Sequence, residues 1–264
     1  TNLVDKNIHI GGNMSENLFK EADIYVTEVS SFQLERTNFM LFTDFAILNI
    51  CDTHKERYTD YNLYYISKIW LILKLMLYHN NSTVFLHKDI LSFTTEHRVH
   101  YFEDNMDFIY QITNKYGINK DSVNEISKSF KSPPYRQQVI YKSDNVTIIH
   151  DGHSTNLFST NYGIKYINPD IVIIGGKKLN SKLKLEVNNK NKIWTFGESA
   201  IELNTQYNID KTFTTLKECL EYLKDNISDL NGTILFSPGC QSFDEFKNNY
   251  ERCDFFKEYI LNNL

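Results

Sequence analysis

The stretch "EVSSFQLERTNFMLFTDFAILNICDTHKERY", Glu28 to Tyr58, decides how this chain is read. It runs Ser-Ser-Phe-Gln, then the apolar "FAILNI", then a polar turn holding Asp52, His54 and Arg57. An apolar β-branched run that ends in a polar turn reads as a buried strand with functional groups at its carboxyl end. Outward from it, the same pattern recurs in "DIYVTEV", "STVFLH", "VTIIHDG", "DIVIIGG", "KIWTFGE" and "GTILFSPG". Helical patterns lie between: 60–80, 102–116, 120–129, 156–167 and 216–228. Alternation of strand and helix predicts parallel sheets covered by helices, an α/β fold. Continuous apolar strands predict that both sheet faces are covered.

The 264 residues suit one large or two ordinary domains. "KSPPYRQQ", Lys131 to Gln138, holds two of the four prolines and separates a helix from a new strand. The boundary is expected there, with domains 1–132 and 133–264. A formal net charge of −5 argues against a phosphate-backbone binder, so no nucleic-acid partner is expected. The four cysteines are scattered without a C-x-x-C pair, which fits a reduced, cytoplasmic protein better than a disulfide framework or a zinc site. "YYISKIWLILKLMLYH" is short for a membrane span and carries Lys68 and Lys74, so it reads as a buried helix and no membrane insertion is expected. Ten glycines against the roughly 18 of average usage leave little material for glycine-rich phosphate loops.

Polar groups at strand ends are the candidate site. Glu28, His54, Asp151, the Gly175-Gly176 pair and Ser237 each follow an apolar run. A carboxylate and an imidazole at neighbouring strand ends can share Mg²⁺, which needs few protein ligands; ordinary turns are the alternative. Lys68 in an apolar helix is either a lysine whose neutral amine burial makes available or one that snorkels to water.

Four segments then carry a resemblance. "EVSSFQLE", "ILNICDTHKERY" with the later lysine, "DGHSTN" and "SPGCQSFDEFKNNYERCDFF" resemble, in order, patterns of the Mur ligase family, in particular its D-glutamate-adding branch. The resemblance implies a P-loop-type central domain with a parallel sheet, lacking its P-loop, followed by a Rossmann-like C-terminal domain. It implies an ATP-dependent amide ligase acting through an acyl phosphate, with UDP-N-acetylmuramoyl-L-alanine and D-glutamate as substrates in peptidoglycan precursor synthesis. By match, Glu28 and His54 hold Mg²⁺ and Lys68 is the lysine that CO₂ carbamylates, the three forming the catalytic centre. Asn105, Arg136 and Asp151 would bind ATP. Asn13 and Gln33 would touch the UDP-muramoyl substrate, Thr155 and Ser242 the D-glutamate, and His153 would be a further substrate-binding residue.

Departures accompany the matches. His153 stands where the family has lysine, Leu179 where it has the lysine of G-G-x-x-K, and Asn249 where it has phenylalanine. Thr53 is inserted into the usual D-H pair, and the H-N-x-x-N pattern is reduced to "YFEDN". The P-loop pattern G-T-N-G-K-[ST]-T is absent from the sequence. A missing N-terminal segment or partner chain is therefore expected to supply it, and this chain alone is expected to be inactive. The alternative is a degenerate ligase retained as a non-catalytic binding or scaffold protein. A generic Rossmann binder built on "IIGGKKL" lacks G-x-G-x-x-G and the acid that should follow.

Overall fold

The computed structural model describes residues 6–12, 21–30, 33–34, 42–50, 60–78, 82–90, 99–177 and 183–264. Two compact units divide the chain, Thr1–Phe130 and Lys131–Leu264. Both are α/β with parallel sheets.

In the first unit β1 (Ile8–Gly12) pairs in parallel with β2 (Ile24–Glu28). A second parallel sheet runs β3 (Asp44–Ile47), β4 (Thr83–His87), β5 (Val99–Phe102). Successive β4 residues face opposite sides of this sheet. Val84 and Leu86 join Ile47 and Ile90 in a core against which Tyr65 and Ile69 of α1 (Tyr61–Tyr78) pack. Phe85, on the other face, meets Phe108 of α2 (Asn105–Lys115) edge-on. The last turn of α2 is tied to the start of β3: Lys115 Nζ lies 2.5 Å from Asp44 Oδ1, and Tyr116 Oη donates to Asp44 Oδ2. A short amphipathic helix, α3 (Lys120–Lys128), buries Val123.

The second unit carries a six-stranded sheet in the order β10-β9-β8-β11-β7-β6. Its strands are β6 (Gln138–Lys142), β7 (Val146–His150), β8 (Ile171–Gly175), β9 (Lys192–Phe196), β10 (Lys211–Thr212) and β11 (Gly232–Gly239). All pairs are parallel except the edge pair β6–β7. Period-two alternation fills two cores. Ile148, Ile173, Trp194, Ile234 and Phe236 face α6 (Leu216–Asn226) and α7 (Asn249–Asn263), which contribute Leu220, Leu223, Phe256 and Ile260. Val172, Ile174, Ile193 and Leu235 face α4 (Leu157–Ile167) and α5 (Ala200–Gln206) through Leu157, Ile164 and Leu203. A sheet apolar on both faces requires this three-layer arrangement.

Side-chain caps start the helices. Asp104, Asn119, Asn156, Thr215 and Asn248 each accept a hydrogen bond from the backbone N–H three residues on. Asn156 closes "DGHSTN", so the last letter of that motif is the N-cap of α4.

The outcome departs from expectation at element ends. The helix expected over 102–116 begins at Asn105, because Val99–Phe102 is a strand beside β4. The seven-residue α5 and the C-terminal α7 were not anticipated. Among the described residues no helix is long and apolar enough to cross a membrane.

Candidate active site

β7, β8, β9 and β11 all run the same way, so their carboxyl ends share one edge of the second sheet. In open α/β sheets ligands gather at that edge. Asp151 follows β7, Gly176 follows β8, Gly197 follows β9, and β11 ends in Ser237-Pro238-Gly239.

Asp151 is 2% exposed. Its Oδ2 accepts from Ser154 Oγ at 2.6 Å and from Ser237 Oγ at 3.0 Å, and its Oδ1 accepts from Gln137 N at 3.3 Å. Burial raises its pKa above the ordinary carboxylate value, while these bonds and the charge of Arg136 pull the other way. The carboxylate joins the end of β7, the following turn and β11. Sequence reading assigned it to ATP and missed this internal role; Ser154 three residues on is the signal, a side chain able to return to its own turn.

The 133–137 loop presents Arg136. Tyr135 and Gln137, on either side, have φ of 61° and 47°, a conformation rare for residues with a side chain. Three ties hold it there: Tyr135 Oη donates to Asp254, His153 N donates to Tyr135 O at 3.3 Å, and Gln137 N reaches Asp151. The bond to Asp254, with burial, pushes the Tyr135 phenol up to about 12. Arg136 is exposed, and its charge is felt by Asp151 and His153. Backbone strain at two adjoining positions is the kind held in place around functional groups.

His153 is half-buried between Tyr135 and Tyr250, both edge-on to its ring. Burial, then the charges of Arg136 and Arg252, hold its pKa below the ordinary histidine value. Its Nδ1 lies 2.6 Å from Asn249 Nδ2, and Asn249 Oδ1 accepts from Arg252 Nη2 at 2.9 Å. Two departures from the family pattern, His153 and Asn249, are thus bonded to each other. Thr155 is partly buried in the same turn, and Ser242 is buried with no partner for its hydroxyl. Arg136, Asp151 and His153 are brought together, with Thr155 in the same turn; Asn249, noted in the sequence only as a departure, bonds His153, and Arg252 behind it was not anticipated.

His150, one residue earlier, is fully buried against Phe236 and Phe256. Gly152 N donates to its Nδ1 at 3.0 Å, which leaves Nε2–H to donate to Cys253 O at 3.0 Å. Burial lowers its pKa to about 4, so it packs as a neutral ring. Burial also holds the Cys240 and Cys253 thiols up at about 12.

In the first unit Glu28 ends β2 exposed, opposite Gly12 at the end of β1. Gly12 has φ +122°, and a side chain there would collide with the Glu28 backbone carbonyl. An exposed carboxylate at a parallel-strand terminus suits an oxygen ligand of Mg²⁺. Lys68 is half-buried in α1, its Nζ 5.2 Å from the centre of the Tyr64 ring. Gln33 takes part in a reciprocal cap: Gln33 N donates to Ser30 Oγ at 3.3 Å and Ser30 N to Gln33 Oε1 at 2.9 Å. That is the S-x-x-Q capping box, a reading of "SSFQ" that the motif match had hidden. Asn105 is exposed in the first turn of α2. Asn13, His54 and Leu179 lie outside the described residues. Among the described residues no cluster of three His, Cys, Asp or Glu side chains forms a metal site; Glu28 is thus one candidate ligand whose proposed partner His54 is not described.

No protein-family model matches the chain. It is 34% identical over 172 residues to the UDP-N-acetylmuramoylalanine–D-glutamate ligase of Prochlorococcus marinus (strain MIT 9312), a match covering 61% of this chain and 37% of that protein. The ligase of the same name from Buchnera aphidicola subsp. Baizongia pistaciae is 29% identical over 301 residues, covering 96% of this chain and 68% of that protein. The chain thus spans between about one third and two thirds of the length of these curated relatives. Among solved structures, MurF from Acinetobacter baumannii superposes with a TM-score of 0.58 at 10% identity, over 87% of this chain and 64% of that one, a likeness of fold. Motif order, fold and sequence identity converge on one likeness: the chain is similar in sequence to D-glutamate-adding Mur ligases and in fold to MurF.

Proposed function

We propose that the chain is the central and C-terminal part of an ATP-dependent ligase that joins D-glutamate to UDP-N-acetylmuramoyl-L-alanine. The observation that supports this reading is that Arg136, Asp151 and His153 meet at the carboxyl end of β7, in a chain that aligns over 96% of its length with a ligase of that name. In such a reaction the alanyl carboxylate takes the terminal phosphoryl group of ATP. The amine of D-glutamate attacks the acyl carbon, and the tetrahedral intermediate expels phosphate to leave the amide.

Charge develops on phosphoryl and carbonyl oxygens, so fixed cations and N–H groups supply the stabilisation. Arg136, exposed on its strained loop, is placed to meet a phosphate. Glu28, with His54, would hold Mg²⁺, which neutralises phosphoryl oxygens when bound; Lys68, whether carbamylated or not, belongs to the same proposed centre. The phosphate-cradling loop, whose pattern the sequence lacks, would come from a preceding segment or a partner chain.

The test is phosphate release by the protein that carries such a loop. Release should require ATP, UDP-N-acetylmuramoyl-L-alanine and D-glutamate together, and omission of any one should abolish it. A second reading, a non-catalytic binding module, is favoured by the neutral His153 where the family keeps a lysine. Tight substrate binding with no turnover by the loop-bearing protein would select it.

A further inference from the structure

Tyr135 stands immediately before Arg136 and is half-buried. Its ring centre lies 5.0 Å from that of His150, at the end of β7, and 5.3 Å from that of His153, in the turn that follows. Lys257 Nζ, on α7, lies 5.8 Å from the same ring. The Tyr135 carbonyl accepts from His153 N at 3.3 Å, and its Oη donates to Asp254, 119 residues further along the chain in α7. Backbone, ring and hydroxyl are each held by a different contact.

The backbone held in this way is one that an untethered loop would leave. Tyr135 and Gln137 have left-handed φ values, and strain of this kind persists only where the surroundings over-determine it. On the far side of Arg136, Gln137 N donates to Asp151 Oδ1 at 3.3 Å, and within the loop Arg136 N donates to Pro133 O at 3.2 Å. The main chain on both sides of Arg136 is therefore fixed. Its side chain is exposed and has no hydrogen bond or ion pair among the described residues. Asp151 and His153 belong to the turn after β7, whereas Asp254 belongs to α7. That helix is itself fastened to β7, because His150 Nε2 donates to Cys253 O, one residue before Asp254. A phenol bonded to a carboxylate makes a charge-assisted hydrogen bond, stronger than a neutral one. Tyr135 keeps its proton through the neutral range, so the bond is present there.

We propose that Tyr135 and Asp254 are positioning residues for Arg136: their bond holds the strained loop so that the guanidinium meets the phosphates of ATP, an inference that rests on the ligase reading for its nucleotide. Neither residue was singled out in the sequence. Tyr135 acts through its neighbour and touches no phosphate itself. Without the bond to Asp254 the loop relaxes toward ordinary backbone angles, and ATP binding then has to supply the ordering of Arg136.

The test compares Tyr135→Phe, Asp254→Ala, the double variant and Asp254→Asn in the protein that carries the phosphate loop. Calorimetry reads the Kd for ATP with Mg²⁺, and kinetics reads KM for ATP and for D-glutamate. Hydrogen exchange reads the Gln137 and His153 N–H groups. Tyr135→Phe and Asp254→Ala should each weaken ATP binding about 3- to 10-fold, as expected for the loss of one partly exposed charge-assisted bond. Both should speed exchange at the two N–H groups and raise KM for ATP more than KM for D-glutamate. The double variant should be no worse than either single one, because both remove the same bond. Asp254→Asn keeps an accepting oxygen and should recover most of the affinity. Unchanged ATP affinity in both single variants, effects that multiply in the double variant, or equal weakening of ATP and D-glutamate overturns the positioning role. Amide formation with an unchanged KM for ATP in both single variants overturns it and leaves the ligase reading standing. Weakened ATP binding in the variants, with no amide formed by the wild type, supports the positioning role and removes the ligase reading instead. A wild type that binds no ATP overturns both.

Discussion

Asn249 Nδ2 donates to His153 Nδ1 across 2.6 Å. The direction follows from the other end of the amide. Arg252 has only donors, so the atom it bonds must be Asn249 Oδ1. The amide nitrogen then faces His153, whose Nδ1 must accept and whose proton must sit on Nε2. One arginine fixes one amide, and that amide fixes one tautomer.

Changing Asn249 therefore changes His153. Asn249→Asp presents an acceptor to Nδ1 and should convert His153 to a donor there, lifting its pKa from below the ordinary histidine value to above it. An NMR titration of the His153 ring protons reads the change directly. An unshifted titration would mean that Asn249 does not set the proton's place. Asn249→Ala removes both bonds and leaves Arg252 without a partner, so the second unit should lose about 2–4 kcal/mol. Urea unfolding followed by Trp194 fluorescence, with Trp70 replaced by phenylalanine, isolates that unit.

His150 makes stability depend on pH. Its folded pKa of about 4 lies below the unfolded 6.5, so the unfolded chain takes up the proton first as pH falls. Its contribution is complete above pH 6.5 and is lost progressively down to about pH 4, about 3 kcal/mol in all at 1.36 kcal/mol per pH unit. His153, also depressed, adds loss of the same sign. Asp151 and Glu245 are raised, and each returns some stability as it protonates. The net slope between pH 6.5 and 5 should flatten in His150→Gln. An equal slope in the variant would place the effect elsewhere.

Gly176, just past the end of β8, packs closely against Gln241, Arg252 and Cys240. Its φ of +133° is costly for any residue with a Cβ, and that Cβ would press on Gln241 O, Arg252 Nη1 and Cys240. Gly176→Ala should cost about 2–4 kcal/mol. The denaturant midpoint checks it, and an unchanged midpoint would mean that the chain relaxes around the added methyl group.

Ser30 and Gln33 form a cap, and the cap predicts which replacements are tolerated. Ser30→Ala and Gln33→Ala should each cost about 1 kcal/mol, whereas Gln33→Glu, which keeps the accepting oxygen, should cost almost nothing. Hydrogen exchange at Ser30 N–H and Gln33 N–H is the local readout. Equal loss in Gln33→Glu and Gln33→Ala would show that the carboxamide does more than cap.

The layered α/β plan was legible because its strands are continuous apolar runs and its helices lie between them. What escaped was short or double in meaning. "VHYF" has four residues and merged with the helix behind it. α5 has seven residues, too few for a periodic signal. In the site, motif matching named Arg136, Asp151 and His153, and Asn249 only as a departure; it did not name Arg252 or the bonds that link Asn249 to His153, because both residues come from a helix about a hundred residues on. Nothing in "NNYERC" marks an arginine as fully buried; only packing against Gly176 and Cys240 does. Asp151 shows the converse, a residue singled out by its motif whose carboxylate is engaged internally by Ser154, Ser237 and Gln137.

The most direct measurement of the central claim is incorporation of labelled D-glutamate into UDP-N-acetylmuramoyl-L-alanine by the protein bearing the phosphate loop, with ATP and Mg²⁺. The account predicts one amide-linked label per phosphate released, and no incorporation when Arg136 is replaced by alanine. Phosphate release without incorporation, or no turnover from a folded protein that binds all three substrates, would contradict it.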